Sequence, residues 1–125
     1  MKGTVLLVDD SAIMRKVILR VLKMADVEFE SVLEAGDGNA ALDLLRVNRV
    51  ALIMCDINMP VMSGLQLLRQ IKQENLAAGV PIVMVSTENS EPQVRQAILA
   101  GARAYIRKPF TVDHIKNSVK PLLAM

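Results

Sequence analysis

Aromatic side chains are almost missing from this chain: Phe29, Tyr105 and Phe110 are all it has, and tryptophan is absent. Proteins that hold single-stranded nucleic acid stack bases on aromatic rings, so that class of function has no platform here. Cysteine is scarce too. Cys55 stands alone, which excludes an internal disulfide and fits a reducing compartment. No block of like charge occurs, and the net charge is only +2. A basic arm for DNA or RNA is therefore lacking. Long hydrophobic runs are lacking as well. The N-terminal MKGTVLLVDD offers only Val5 to Val8, too little for a signal peptide or a membrane span. The expectation is a cytoplasmic protein with no membrane insertion and no direct contact with nucleic acid.

What is there fits one domain. The chain has 125 residues, 52% of them hydrophobic and 22% charged, enough to bury a core without staples. Short apolar runs alternate with amphipathic stretches. Val5 to Val8, Phe29 to Leu33, Ala51 to Cys55, Ile82 to Val85 and Ala104 to Ile106 read as strands. Runs that are apolar on both faces suit parallel strands covered by helices. Between them, spacings of three and four mark helices: Ile13, Val17, Ile18, Val21 and Leu22; Ala40, Ala41, Leu44 and Leu45; Leu65, Leu68 and Ile71; Val94, Ile98 and Leu99. A last helix runs from about Val112 to Leu123, with Pro121 fraying its end.

The punctuation agrees. Asp9, Asp10 and Ser11 can cap the first helix, and Asp37 or Gly38 can open the second. Gly36, Gly79 and Gly101 stand where elements should stop. There is no linker, repeat or low-complexity stretch. Five β–α units in succession imply an α/β, doubly wound five-stranded parallel sheet with five helices and right-handed crossovers. Strand order 2-1-3-4-5 is allowed, and such sheets carry their site beyond the carboxyl ends of strands 1 and 3.

The polar residues at those ends define a candidate site. Strand 1 ends in Asp9 and Asp10, strand 3 in Asp56, strand 4 in Ser86 and Thr87, and strand 5 in Arg107 and Lys108. Clustered carboxylates repel one another, and a hard cation such as Mg²⁺ relieves this with oxygen ligands. Lys108 adds a point charge for a phosphate oxygen, and Ser86 or Thr87 a hydroxyl donor. These are the parts that stabilise charge on a phosphoryl group in transfer, and an Asp can be its nucleophile. Each residue has a plainer reading: a helix cap for Asp9, Asp10, Ser86 and Thr87, a turn for Asp56, a solvated lysine for Lys108. What outweighs these readings is the joint placement on one sheet edge.

The segments VLLVDDSAIMR, MCDINMPVMSGLQLL, IVMVST and YIRKPF carry a resemblance to the response-regulator receiver family, whose fold is flavodoxin-like, over essentially the whole length. The resemblance implies that Asp56 accepts a phosphoryl group from a phosphohistidine on a sensor kinase or histidine phosphotransfer protein. It implies that Asp10 ligates Mg²⁺ directly and Asp9 through water, with Asp56 and the backbone carbonyl of Asn58 completing the protein ligands. Lys108 would pair with the acyl phosphate, and its bond to Pro109 can be cis. Ser86 takes the hydroxyl role and Tyr105 that of the switch aromatic.

Thr87 departs from the Ala common at that position and is expected to narrow access to Asp56 or compete with Ser86. Asn58 and Glu88 resemble the positions that tune acyl-phosphate hydrolysis in chemotaxis-type receivers.

The expectation is one receiver domain over residues 1–125. It signals rather than catalyses metabolism, though it assists its own phosphoryl transfer and dephosphorylation. The output is a helix 4–strand 5–helix 5 face, lined by Arg95, Lys116 and Lys120, that binds a downstream protein such as a flagellar motor switch component or a phosphorelay partner. The protein is a monomer or a dimer linked to activation. A receiver cut from a larger regulator with a DNA-binding or enzymatic output is the alternative. A small Asp-nucleophile phosphatase is disfavoured because Asn58 stands where that class needs a second Asp. His114 is read as a surface or cap residue and Cys55 as core. Met14, Met24, Met54 and Met84 are read as core, and Met59 and Met62 as part of a partner surface.

Overall fold

The strands of the computed structural model, which describes residues 3–87 and 90–123, make one five-stranded sheet in the order β2-β1-β3-β4-β5. They are β1 (Thr4–Val8), β2 (Ser31–Ala35), β3 (Leu52–Asp56), β4 (Ile82–Ser86) and β5 (Ala104–Arg107). Every pairing is parallel. The helices are α1 (Ala12–Met24), α2 (Gly38–Val47), α3 (Gly64–Gln73), α4 (Glu91–Leu99), α5 (Val112–Ser118) and the short α6 (Lys120–Leu123).

Side chains alternate across each strand and so feed two cores. Leu6, Val8, Ile53, Cys55, Ile82 and Met84 meet Ala41, Leu42 and Leu45 of α2, Leu67, Leu68 and Ile71 of α3, and Ala97 of α4. Val5, Leu7, Leu52, Met54, Val83 and Val85 meet Ile18 and Leu22 of α1 and Ile115 of α5. β3 and β4 are buried from end to end, which is why they read as unbroken apolar runs.

Five helices open on a side-chain cap. Ser11, Asp37, Ser63, Ser90 and Thr111 each accept from the backbone N–H three residues on. His114 completes the cap of α5, its Nδ1 accepting from the Thr111 N–H at 3.2 Å.

Several expectations shift. β2 begins at Ser31 rather than Phe29, because its register is fixed by pairing with β1, from Thr4 opposite Ser31 onward. Phe29 instead packs, partly buried, on the α1–α5 core. The last helix breaks at Val119. Pro121 has no N–H to continue the ladder, and α6 restarts with it in the first turn. Met24 is 60% exposed rather than core, and Ile13 and Val17 of α1 are exposed as well. In α4 only Ala97 is buried; Ile98 and Leu99, expected inward, face out. Met59 is buried, which removes it from a partner surface, whereas Met62 is partly buried and packs against the same core. No described helix is long and apolar enough to cross a membrane.

Candidate functional site

Strands β1 and β3 run side by side while their connecting helices leave toward opposite faces, and this opens a crevice at their carboxyl ends. Asp9 is buried there and satisfied at every polar atom. Its N–H donates to the Ala35 carbonyl at 3.1 Å. Its Oδ1 accepts from the Ser11 N–H at 2.9 Å and its Oδ2 from Lys108 Nζ at 3.1 Å. Its own carbonyl accepts from Arg15 Nη1 at 2.6 Å. Asp10, the next residue, is exposed.

Asp56 closes β3. Its Oδ1 accepts from the Asn58 N–H at 3.3 Å and lies 3.6 Å from Lys108 Nζ. Burial raises the Asp56 carboxyl above its ordinary range, and Asp9 and Asp10 push the same way; Lys108 and the Asn58 N–H oppose them. The thiol of Cys55 donates to the Asp56 carbonyl at 3.2 Å. Burial, then the neighbouring acids, drive its pKa far upward, so it stays a protonated core group.

Ser86 ends β4, fully buried. Its carbonyl accepts from the Lys108 N–H at 2.6 Å, which seats the start of the β5–α5 loop. The Lys108–Pro109 bond that follows is cis. Asn58 Nδ2 donates to Ser86 Oγ at 3.3 Å. Tyr105 lies on the same face of the sheet, beside Met84, and its hydroxyl donates to Gln93 Oε1 of α4 at 3.2 Å. Thr87 is exposed just past Ser86, and Glu88 lies outside the described residues.

The sheet thus brings Asp9, Asp10, Asp56, Asn58, Ser86 and Lys108 to one crevice. Asp9, Asp10 and Asp56 each offer a carboxylate oxygen within 4.8 Å of the others. An all-oxygen set with one solvent-facing acid fits Mg²⁺, which keeps part of its water shell. Sequence reasoning missed Arg15 and Gln93. Both act across elements, at contacts 6 and 12 residues apart in the chain, and no local spacing marks them.

The model of the response regulator receiver domain matches residues 5–120, and this chain belongs to that family. It is a two-component signalling regulator rather than a metabolic enzyme. Among curated relatives, the chemotaxis protein CheY of Pseudomonas aeruginosa is 34% identical over 118 residues, covering 94% of each chain. A CheY homolog of Campylobacter jejuni is 40% identical over 119 residues, covering 94% of this chain and 90% of its own. Among solved structures, Vibrio cholerae CheY4 superposes with a TM-score of 0.83 at 30% identity, covering 98% of this chain and 100% of that one.

Proposed function

We propose that this chain is a phosphoacceptor response regulator, one receiver domain over residues 1–125, that takes its phosphoryl group on Asp56. The observation that supports this best is the convergence of Lys108 on two buried acids, 3.1 Å from Asp9 and 3.6 Å from Asp56. An Asp56 carboxylate oxygen attacks the phosphorus of a phosphohistidine on a sensor kinase or histidine phosphotransfer protein. A P–O bond forms, the P–N bond breaks, and the imidazole leaves with the electron pair and takes a proton. Burial and the neighbouring acids make Asp56 more basic, hence a better nucleophile, than an ordinary carboxylate. Lys108 supplies fixed positive charge where phosphoryl oxygens gather.

Asp9, Asp10, Asp56 and the Asn58 carbonyl would hold Mg²⁺, whose charge offsets that of the acids and the phosphoryl oxygens. Asp10 would ligate it directly and Asp9 through water. The Ser86 hydroxyl exchanges Asn58 for a phosphoryl oxygen, and Tyr105 follows inward. The α4–β5–α5 face, where Arg95, Lys116 and Lys120 are exposed, is thereby biased between two states. Asn58, Thr87 and Glu88 rim the acyl phosphate and set its lifetime.

Two relatives named for chemotaxis support a motility output in the cytoplasm. The partner is a protein, such as a flagellar motor switch component, bound by a monomer or an activation-linked dimer.

Incubation with a small phosphodonor and Mg²⁺, followed by intact mass, tests the assignment. One phosphoryl group is gained, and none in Asp56→Asn. Uptake that persists in that variant overturns it.

A further inference from the structure

The Asp10 carboxylate has no hydrogen bond or ion pair of its own among the described residues, although it stands beside Asp9 and Asp56 in the crevice. Its position is therefore set by its backbone. The peptide joining Asp9 to Asp10 is planar, so whatever holds the Asp9 carbonyl also places the Asp10 N–H and Cα, from which the side chain departs. That holder is Arg15. Its Nη1 donates to the Asp9 carbonyl at 2.6 Å, and its Nε donates to Glu34 of β2 at 2.9 Å. The Arg15 side chain is only 17% exposed. Glu34 sits opposite Leu7 in the β1–β2 ladder, so the clamp ties the β1–α1 loop to a strand that carries no site residue.

We propose that Arg15, braced by Glu34, is a positioning residue for the cation site: it orients the Asp9–Asp10 peptide and so presents Asp10 to the metal. Lys108, 3.6 Å from Asp56 Oδ1, is the cation at the nucleophile. Arg15 reaches the Asp9 carbonyl and Glu34 instead, so it acts on metal affinity rather than on Asp56. This rests on the reading of Asp9, Asp10 and Asp56 as a Mg²⁺ site.

The test is a calorimetric titration of the full chain with Mg²⁺, alongside phosphoryl uptake from a small phosphodonor across a Mg²⁺ series. Outer partners of metal ligands typically govern affinity by 10–100-fold. Arg15→Ala should weaken Mg²⁺ binding by about tenfold and recover the parental uptake rate at saturating Mg²⁺. Arg15→Lys, which can reach only one of the two acceptors, should fall between. Glu34→Gln keeps the guanidinium and removes only its brace, so it serves if Arg15→Ala does not fold; it should weaken Mg²⁺ binding less, with the metal-free melting temperature little changed. Parental affinity in folded Arg15→Ala, or in Glu34→Gln when that variant serves alone, overturns the proposal. Failure of the unaltered chain to bind Mg²⁺ instead overturns the metal site itself.

Discussion

Lys108 stands closer to Asp9 than to Asp56, 3.1 Å against 3.6 Å, so in this state it leans on the acid that is not the proposed acceptor. Asp9 is 1% exposed, and a buried charge stripped of its partner is costly. Lys108→Ala should lower stability by about 3 kcal/mol without Mg²⁺, read by urea denaturation. The same change should slow phosphoryl uptake by about 10²-fold. It should also raise the Asp56 carboxyl further, because Lys108 is the main influence holding it down.

Asp56→Asn should stabilise the metal-free fold at neutral pH. The Asp56 carboxyl is raised above 3.8 in the folded chain. Its contribution to stability is therefore fully present below the unfolded value and is lost as pH rises through the folded one. At neutral pH the charge is a net cost, which asparagine removes. Scanning calorimetry should show the variant melting above the parent at neutral pH, with the gap closing toward about pH 4. A variant that melts lower at neutral pH contradicts this.

Mg²⁺ should raise the melting temperature of the parent and much less that of Asp56→Asn. At tenfold excess over the dissociation constant, binding contributes about 1.4 kcal/mol, or about 5 °C for a domain of this size. Equal shifts in both proteins would separate metal binding from Asp56.

Away from the site, Arg46 grips Glu74 with two bonds, Nε to Oε1 at 3.0 Å and Nη2 to Oε2 at 2.9 Å, which staples α2 to the end of α3. The Arg46 bond, then one from Gln70, lowers the Glu74 carboxyl below its ordinary range. A lowered carboxyl contributes stability above its unfolded pKa and loses it as pH falls through the folded value. Glu74→Gln should therefore flatten the acid limb of the melting curve below about pH 4.5. Unchanged acid sensitivity would show that the staple adds nothing.

A Cβ at Gly64 would collide with the Asp56 carbonyl oxygen, and would come within 2.8 Å of Ile57 Cα. Gly64→Ala should destabilise the fold by about 1–3 kcal/mol, as overpacking does, and slow phosphoryl uptake by displacing the end of β3. Circular-dichroism melts and the mass assay read both effects.

The strands were legible as short apolar runs, most clearly β3 and β4, which are buried on both faces, and the crevice because parallel sheets gather their carboxyl ends. Residues such as Asp56 and Lys108 could be placed from chain position alone. Phe29 was misleading: an apolar side chain reads the same in a strand as in the loop before it, and only the Thr4–Ser31 register separates them. Ile98 was misleading in a different way, since helical spacing marks a face without saying whether anything covers it. The hold of Arg15 on the Asp9 carbonyl was invisible, because a side chain reaching a backbone oxygen leaves no pattern in the sequence.

The thin attachment of α4 has a wider consequence. Displacing α3 would uncover Leu67, Leu68 and Ile71, each about 1.5–3 kcal/mol of burial. Displacing α4 uncovers only one fully buried side chain, the methyl of Ala97, about 0.8 kcal/mol, and breaks the Tyr105–Gln93 hydrogen bond. A stimulus of a few kcal/mol can thus shift one helix and not the other. The outward residues of α4, Ile98 and Leu99 among them, are also released from packing duty, so substitutions there cost the fold little. Of the four longest helices, α4 is thus the one most weakly held by the core, and its outward side chains are left for other contacts.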